Sequence, residues 1–302
     1  MSELRLLFAL FLPTLVGFLF ASWLLKNDEE MTIFDRIFFG YGLGLGFISY
    51  SMFILGISGI KYTLLNVIFS QVLFIVGISA LFVYSGTPFS NIFGYKTKLK
   101  TLTNGMNKWK YFGIGLIALW ILFKVSFVLY EGLNRPIYSW DVWANWAAGA
   151  KFIFYEKGLN LDLDSEFFFG KWYRAFLGHP LHNPLLQVWV SLCLGEFHEI
   201  YAKAWTPFYF ISLLGIFFFA VKRDTSLWTA LIATLLLSSA PLLTYHATDA
   251  YSDLPMGYYA LAGVITLWRY IKTGNRNLLF LSGVFIGIGV FTKNEGVFFA
   301  AA

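Results

Sequence analysis

Long, uninterrupted apolar runs restrict what this chain can fold into. They occur near residues 6–25, 37–58, 63–84, 111–130, 203–221, 227–247, 254–271 and from 278 onward. At about 1.5 Å per helical residue, each run crosses or nearly crosses a hydrocarbon layer of about 30 Å. Because backbone polar groups in lipid must be satisfied within the segment, such spans are helices. The sequence therefore predicts an all-α, polytopic membrane helical bundle with about eight spanning helices.

The composition agrees with a membrane protein. Of the 302 residues, 58% are hydrophobic and 13% are charged, whereas soluble domains carry about 25% charged residues. The net charge of +5 is concentrated in a few loops, which indicates membrane orientation rather than nucleic-acid binding. A single cysteine, Cys193, excludes an internal disulfide. We expect the first span to be a retained helix, and the chain to be the N-terminal part of a longer protein.

Basic residues predict the orientation. The loop 85–110 carries five lysines and no acid, which is typical of a cytoplasmic loop. The next long loop, 131–183, is then outside, and so is the N-terminus. Because successive spans alternate in direction, the later basic clusters are also expected in the cytoplasm: Lys222, Arg223, Arg269, Lys272 and Arg276.

That orientation requires that the short apolar run Pro184–Gly195 does not cross the membrane. A run of about 12 residues is too short to span the bilayer. It is expected to be re-entrant or juxtamembrane. The alternative, a short crossing helix, would reverse every later loop.

Four glycines at alternate positions lie in the second apolar run: Gly40, Gly42, Gly44 and Gly46. They form two pairs at four-residue spacing, which in an apolar helix predicts close helix packing. A nucleotide-binding loop is not indicated, since no strand precedes the glycines and no lysine follows them.

The stretch Tyr138–Lys157 is amphipathic at helical spacing. Ser139 is the predicted N-cap, with Asp141 in the first turn. Asp141 shares one side with Asn145 and Phe152, and the other side is predicted to hold Trp143, Trp146, Ala150 and Ile153. Such a helix could hold a carboxylate just above the bilayer, although the aspartate could equally be a solubilising cap.

With this topology, the unusual polar residues gather on the outer face: Asp141, Asn145, Lys171, Arg174, His179, His182, His246, Asp249, Asp253, Lys293 and Glu295. Ionisable groups beside spans are costly unless they pair or take part in function. This set suits group transfer from a lipid-linked donor. A carboxylate would act as general base, and a phosphate would meet Lys293, Arg174 or a histidine.

Four motifs occur in order: SWDVWANWAAGAKF, HPLHNPLLQVWVSLCLGEF, TDAYSDLP and GVFIGIGVFTKNEGVFF. Over roughly residues 110–302 the chain resembles the C-type glycosyltransferases (the GT-C fold). These enzymes are related to protein O-mannosyltransferases and the lipid A aminoarabinose transferase. On this resemblance, residues 111–302 form the membrane core with its outer loop 131–183. Residues 1–110 have no assigned counterpart, so three spans precede the core.

The resemblance implies that sugar moves from a polyprenyl-phosphate donor to a glycan, lipid or protein acceptor at the outer face of a cell membrane. It implies that Asp141 is the catalytic base and that Lys293 contacts the donor phosphate. Asp253, or otherwise Asp249, would help to organise the site. We assign the remaining residues to donor or substrate binding: Asn145, Arg174, His179, His182 and Glu295. Asp141 stands alone where many relatives have an Asp-Glu pair.

Other interpretations remain open at this stage. A membrane transporter or lipid-carrier flippase would use the same charges as a pathway. Such proteins need polar residues at mid-span, and Lys124, the main one here, is expected to extend to the interface. A non-catalytic assembly subunit is a third possibility. No cofactor is expected, although His179 with His182, or Asp249 with Asp253, could bind a divalent metal.

Overall fold

The structure, a computed structural model, describes residues 2–26, 28–86, 108–161 and 179–301. Every regular element in these ranges is helical. The α-helices are α1 Ser2–Leu24, α2 Ile33–Ile57, α3 Leu64–Tyr84, α4 Lys108–Asn134, α5 Ala148–Glu156, α6 His182–Leu194, α7 Thr206–Asp224, α8 Leu227–Ser238, α9 Pro241–Thr248, α10 Asp253–Thr273, α11 Arg276–Thr292 and α12 Glu295–Ala301. A π-helix, Val142–Ala147, precedes α5, and a 3₁₀-helix, Tyr201–Lys203, precedes α7. The predicted all-helical class is confirmed.

Fewer helices qualify as membrane spans than the eight predicted. Five described helices are long and apolar enough, namely α1 to α4 and the segment Tyr201–Asp224. A sixth is added if α8 and α9 count as one span bent by 66°. Pro241 begins α9 and cannot donate a helical hydrogen bond, which explains the break. The last two predicted spans differ for other reasons: α10 has a more polar sequence, and α11 has only 17 residues.

The glycine series Gly40–Gly46 brings α2 into close contact with its neighbours. A Cβ atom at Gly44 would lie 1.7 Å from the carbonyl oxygen of Pro13 on α1. On the opposite side, a Cβ atom at Gly42 would lie 2.1 Å from the ring of Tyr258 on α10. Backbones can approach this closely only where no side chain intervenes. The predicted close helix packing is therefore confirmed, on two faces of the same helix.

Ion pairs join several helix termini at one end of the bundle, which we call the basic end. The end of α7, the end of α10 and the connection between α1 and α2 meet there. The pairs are Arg223 with Asp35 at 2.8 Å, Arg269 with Asp28 at 2.9 Å, and Lys272 with Asp224 at 2.6 Å. The basic clusters that the sequence predicts on the same side of the membrane thus lie together. Which side of a membrane they face stays a prediction.

The opposite end, which we call the site end, holds the connections after α2, α4 and α9. Helix α6 has both of its termini near this end. At its start, Asn183 donates to the carbonyl of Ala250 at 2.6 Å, and at its finish the carbonyl of Leu194 accepts from Arg5 at 2.9 Å. Helix α6 therefore does not cross the bundle, in agreement with the re-entrant or juxtamembrane prediction.

Candidate functional site

Two side chains of its own helix donate hydrogen bonds to Asp141. Its Oδ1 atom accepts from Nδ2 of Asn145 at 2.6 Å, and its Oδ2 atom accepts from Nε1 of Trp146 at 3.3 Å. Residues 142–147 are π-helical, and this wider turn, with its i→i+5 pattern, brings the residue at i+5 over Asp141. The carboxylate, at the start of this turn, is consequently held in one orientation while remaining partly exposed.

The π-helix also changes which tryptophans share a face. Trp146 is buried with 2% exposure, whereas Trp143 is 59% exposed. The prediction that these two residues lie on the same side is therefore wrong, because it assumed α-helical spacing throughout. Trp140 is exposed as well. The indole of Trp146 acts as a hydrogen-bond donor to the carboxylate rather than as part of an apolar surface.

Asp249 positions the backbone that leads into this helix. Its carboxylate accepts from the backbone N–H groups of Tyr138 at 3.3 Å, Ser139 at 2.9 Å and Ala250 at 2.9 Å. The side chain is fully buried, with no surface open to a substrate. Both oxygens are occupied by N–H donors, which argues against the proposed metal pair with Asp253. Asp249 is instead a positioning residue for Asp141.

Three hydroxyl groups and a histidine lie in the part of the site beyond Asp141. The hydroxyl of Ser139 contacts that of Tyr245 at 3.0 Å, so it does not form the predicted side-chain cap. The hydroxyls of Tyr245 and Tyr251 lie 3.4 Å apart, and the Tyr251 ring stacks on His246 with centroids 4.6 Å apart. Burial raises the pKa of Tyr251 to about 12, and the negative charge of Asp141 contributes to the increase. Tyr251 therefore remains a neutral hydroxyl near the carboxylate.

Lys293 forms the far side of the site between two acids. Its ammonium lies 2.8 Å from Asp253 and 3.2 Å from Glu295. Burial opposes the charge, but the two carboxylates outweigh it and raise the pKa of Lys293 above its ordinary value. His246 lies within electrostatic range of both Asp253 and Lys293. The ammonium of Lys293 is therefore charged. It lies within electrostatic range of His246, whose ring stacks on that of Tyr251.

We call the connected set the site cluster: Asp141, Asn145, Tyr251, His246, Asp253, Lys293 and Glu295. His179 adjoins it, since its ring lies 4.9 Å from that of Trp146. The Nδ1 atom of His179 is buried and has no hydrogen-bond partner among the described residues. The predicted residue Arg174 lies outside the residues that the structure describes, as does Lys171.

His182 is not part of the site cluster. It is fully buried, with Nδ1 at 2.7 Å from the hydroxyl of Ser49 and Nε2 at 3.0 Å from that of Tyr209. Tyr259 also contacts Nε2 at 3.4 Å. Both ring nitrogens are thus occupied inside the helix bundle, which contradicts the predicted role in substrate or metal binding. In the described part of the chain, no group of three or more potential ligands is placed to hold a metal ion.

An open groove of about 330 Å³ adjoins the site cluster where α8 and α9 break. It lies between this break and α4, and it is lined in part by Lys124, Arg135, Tyr138 and Tyr245. The Arg135 guanidinium lies 4.0 Å from the Tyr138 ring centroid and pairs loosely with Glu131 at 3.5 Å. The groove thus carries two cations and one acid, Glu131, beside residues that touch the site.

Sequence reasoning passed over Arg135, Tyr245 and Tyr251. Two signals could have identified them. Arg135 lies just after a span and before a proline, while Tyr245 precedes the predicted outer turn TDAYSDLP and Tyr251 lies within it.

Comparisons of the chain with protein-family models, with curated proteins and with solved structures find no match. The function must therefore be inferred from the residues themselves. A clamped carboxylate, a neutral phenol, a paired ammonium and an adjoining groove are the features available for that inference.

Proposed function

We propose that this chain is a membrane glycosyltransferase of the GT-C type. It would move a sugar from a polyprenyl-phosphate donor to an acceptor at the membrane surface beside the site end. The observation that carries the proposal is the series of interactions in the site cluster: the charge of Asp141 acts on Tyr251, the Tyr251 ring stacks on that of His246, and His246 lies within electrostatic range of Lys293. A base and a cation separated by polar rings provide the two roles that such a transfer needs.

The chemical step assigns each group a role. Asp141 takes the proton of an acceptor hydroxyl while the hydroxyl oxygen forms a bond to the anomeric carbon of the sugar. The bond between that carbon and the phosphate oxygen breaks, and its electron pair leaves with the phosphate. Lys293 stabilises the departing charge, and its three N–H donors allow it to exchange one carboxylate contact for a phosphate. A direct displacement of this kind inverts the anomeric centre.

The groove beside α4 supports a lipid-linked donor. A polyprenyl chain could lie along α4, whose side chains are largely exposed. Arg135 and Lys124 line the groove and would attract the phosphate on its way to the site cluster. Tyr245 lines the same groove, and its hydroxyl contacts those of Ser139 and Tyr251, so the donor would arrive beside the site cluster.

A lipid-carrier flippase is the second candidate. It is favoured by the position of Lys124, which lines the groove from within a span. A flippase would move the intact carrier and leave the sugar–phosphate bond unbroken.

The decisive experiment reconstitutes the purified full chain in liposomes with polyprenyl-phosphate hexoses and pentoses labelled in the sugar. Transfer of label to added acceptors and release of polyprenyl phosphate are both measured. Asp141→Asn should reduce transfer by about 10²- to 10⁴-fold, the usual contribution of a general base. Glu156→Gln, which changes an exposed acid at the same end, should leave transfer unchanged. Full transfer by Asp141→Asn would remove this residue from the mechanism, and translocation of unbroken donor would favour the flippase.

A further inference from the structure

Lys203 is a cationic side chain with no surface open to solvent or to a substrate. It ends the 3₁₀-helix Tyr201–Lys203, just before α7, and its exposure is 0%. It belongs neither to the site cluster nor to the lining of the groove beside α4. Ionisable groups buried among membrane helices are costly, and they are retained where they pair or take part in function.

The ammonium of Lys203 caps two helices that finish at the site end. It donates to the carbonyl of Thr248, the last residue of α9, at 2.5 Å, and to the carbonyl of Gly132, in the last turn of α4, at 3.2 Å. Carbonyls in the last turn have no partner within the helix and form the negative end of its dipole. An ammonium with three N–H donors can satisfy both. Lys203 therefore joins the end of α4 to the end of α9.

The contact with Thr248 leads to Asp141 through Asp249, the next residue in the chain. The Asp249 carboxylate lies within electrostatic range of the Lys203 ammonium. It also accepts from the backbone N–H of Ser139 at 2.9 Å, two residues before Asp141. The buried cation and the buried anion thus hold adjacent points of one backbone segment.

The contact with Gly132 leads to the same backbone from the other direction. Only residues 133–137 separate Gly132 from Tyr138, whose N–H also donates to Asp249. Gly132 lies close to the start of α7, since a Cβ atom there would be 2.4 Å from the ring of Pro207. This short connection is therefore held at both ends, by the ammonium at its start and by the carboxylate at its finish.

We propose that Lys203 is a positioning residue for the carboxylate of Asp141. It contacts no substrate and transfers no proton. It fixes the two backbone segments that determine where the helix carrying Asp141 begins. The effect on sugar transfer rests on the proposed glycosyltransferase function, whereas the effect on the backbone does not. A cation that only stabilised the fold would change the amount of folded protein and leave each folded molecule fully active.

The first test needs no substrate. Hydrogen exchange of the backbone amides of Tyr138 and Ser139 is measured in the full chain in detergent. Lys203→Met, an unbranched side chain without charge, should speed this exchange about tenfold or more, as expected when hydrogen bonds to a charged group are lost. Lys151→Met removes a half-exposed lysine that pairs with Glu199, and it should leave the exchange unchanged.

A second variant covers the case in which Lys203→Met does not fold. Lys203→Gln retains N–H donors on a shorter, neutral side chain, and the same direction of change is expected. Exchange at wild-type rates in the folded Lys203 variant, or equal acceleration in Lys151→Met, would overturn the proposal.

Transfer assays then separate positioning from stability. Per folded molecule, Lys203→Met should lower kcat by up to about 100-fold, the cost of a small misplacement of a reacting group. The KM for the polyprenyl-phosphate donor should stay unchanged, because Lys293 is not displaced. In the Asp141→Asn background the same substitution should cause no further loss, since the group that it positions is already absent.

The outcomes of the two tests are distinct. A wild-type kcat in Lys203→Met, or a further loss of equal size in the Asp141→Asn background, would overturn the positioning role. If the wild type transfers no sugar from any donor, the proposed function fails, and the exchange measurement still decides whether Lys203 fixes this backbone.

Discussion

At the scale of single residues, the charge of Lys293 bears on both stability and the proposed donor binding. It is the cation of the site cluster, and two carboxylates hold it. Lys293→Gln removes the positive charge opposite the departing phosphate. We expect the KM for a polyprenyl-phosphate donor to rise and kcat to fall, because in the proposed mechanism both the bound and the departing phosphate contact this group. An unchanged kcat/KM would show that the phosphate is held elsewhere.

The raised pKa of Lys293 also predicts a pH dependence of stability. A group whose folded-state pKa is raised stabilises the fold below its unfolded pKa, and this contribution is lost as pH rises through the folded value. The ordinary value is 10.5. The difference in unfolding free energy between the wild type and Lys293→Gln should therefore be constant from about pH 7 to about pH 10 and shrink above that. Thermal unfolding in detergent measures this difference as a function of pH. A difference that is already lost as the pH rises to about 9 would contradict the assignment.

Asp249 contributes to the site through the backbone rather than through substrate contacts. Asp249→Ala removes the acceptor for three N–H groups and the carboxylate near the buried Lys203. We expect a loss of about 3 kcal/mol or more in unfolding free energy, since three N–H groups lose their acceptor and each unsatisfied buried donor costs about 1–3 kcal/mol. Asp224→Ala breaks a half-exposed pair at the basic end and should cost about 1 kcal/mol or less. Comparable losses, measured by denaturation in detergent, would show that Asp249 does not anchor this loop.

Sequence reasoning could identify Asp141, Asp253 and Lys293 because each lies at a helix terminus outside an apolar run. It could not separate the buried polar residues from the exposed ones. His182 is satisfied by Ser49, which lies 133 residues away in the sequence. Burial of this kind depends on which distant helix supplies a hydroxyl, and no local pattern around His182 encodes that. The same holds for Asp249, whose donors Tyr138 and Ser139 precede it by more than one hundred residues.

At the scale of elements, the glycine series of α2 gives the sharpest stability prediction. Gly44→Ala would place a methyl group 1.7 Å from the Pro13 carbonyl oxygen, so α1 and α2 must move apart. Overpacking typically costs about 1–3 kcal/mol. Gly77→Ala in α3 is the matched control, since a Cβ atom there meets nothing within 4 Å. It should be neutral or stabilising by up to about 1 kcal/mol, because alanine favours helix.

Unfolding of the two glycine variants in the same detergent provides the measurement. Equal melting temperatures for Gly44→Ala and Gly77→Ala would mean that α1 and α2 are not in backbone contact.

The sequence predicted which segments are helical, but it was less informative about the geometry of those helices. Apolar runs identified the long helices, and glycine spacing predicted close packing of α2 without identifying α1 as its partner. The π-helix at Val142–Ala147 was not foreseen, because periodicity analysis assumes one turn size throughout. The break between α8 and α9 was also missed, although Pro241 marks it. A run of apolar residues indicates affinity for lipid, but it does not indicate whether the helix within the run is continuous.

At the scale of the whole molecule, the two ends of the bundle differ in chemistry. The basic end is held together by ion pairs between helix termini, and the site end holds the site cluster. Orientation should follow the lysines and arginines, with the basic end in the cytoplasm. The proposed donor site would then serve the outer leaflet.

Cysteine labelling tests this arrangement directly. The native Cys193 is buried, so single cysteines at exposed positions report their own surroundings. Glu156→Cys lies at the site end and Thr273→Cys at the basic end, and both positions are exposed. A membrane-impermeant maleimide should label Glu156→Cys on intact cells and Thr273→Cys only after permeabilisation. Ser252→Cys, at a fully buried position, should react in neither case.

Each other labelling pattern has a distinct meaning. If both exposed cysteines react on intact cells, the two ends of the bundle are not on opposite sides of the membrane, and fewer helices cross it than the fold indicates. If only Thr273→Cys reacts, the bundle is inverted with respect to its basic residues. Asp141 and Lys293 would then face the cytoplasm, where a donor presented at the outer leaflet could not reach them, and the transferase proposal would fail on topology alone.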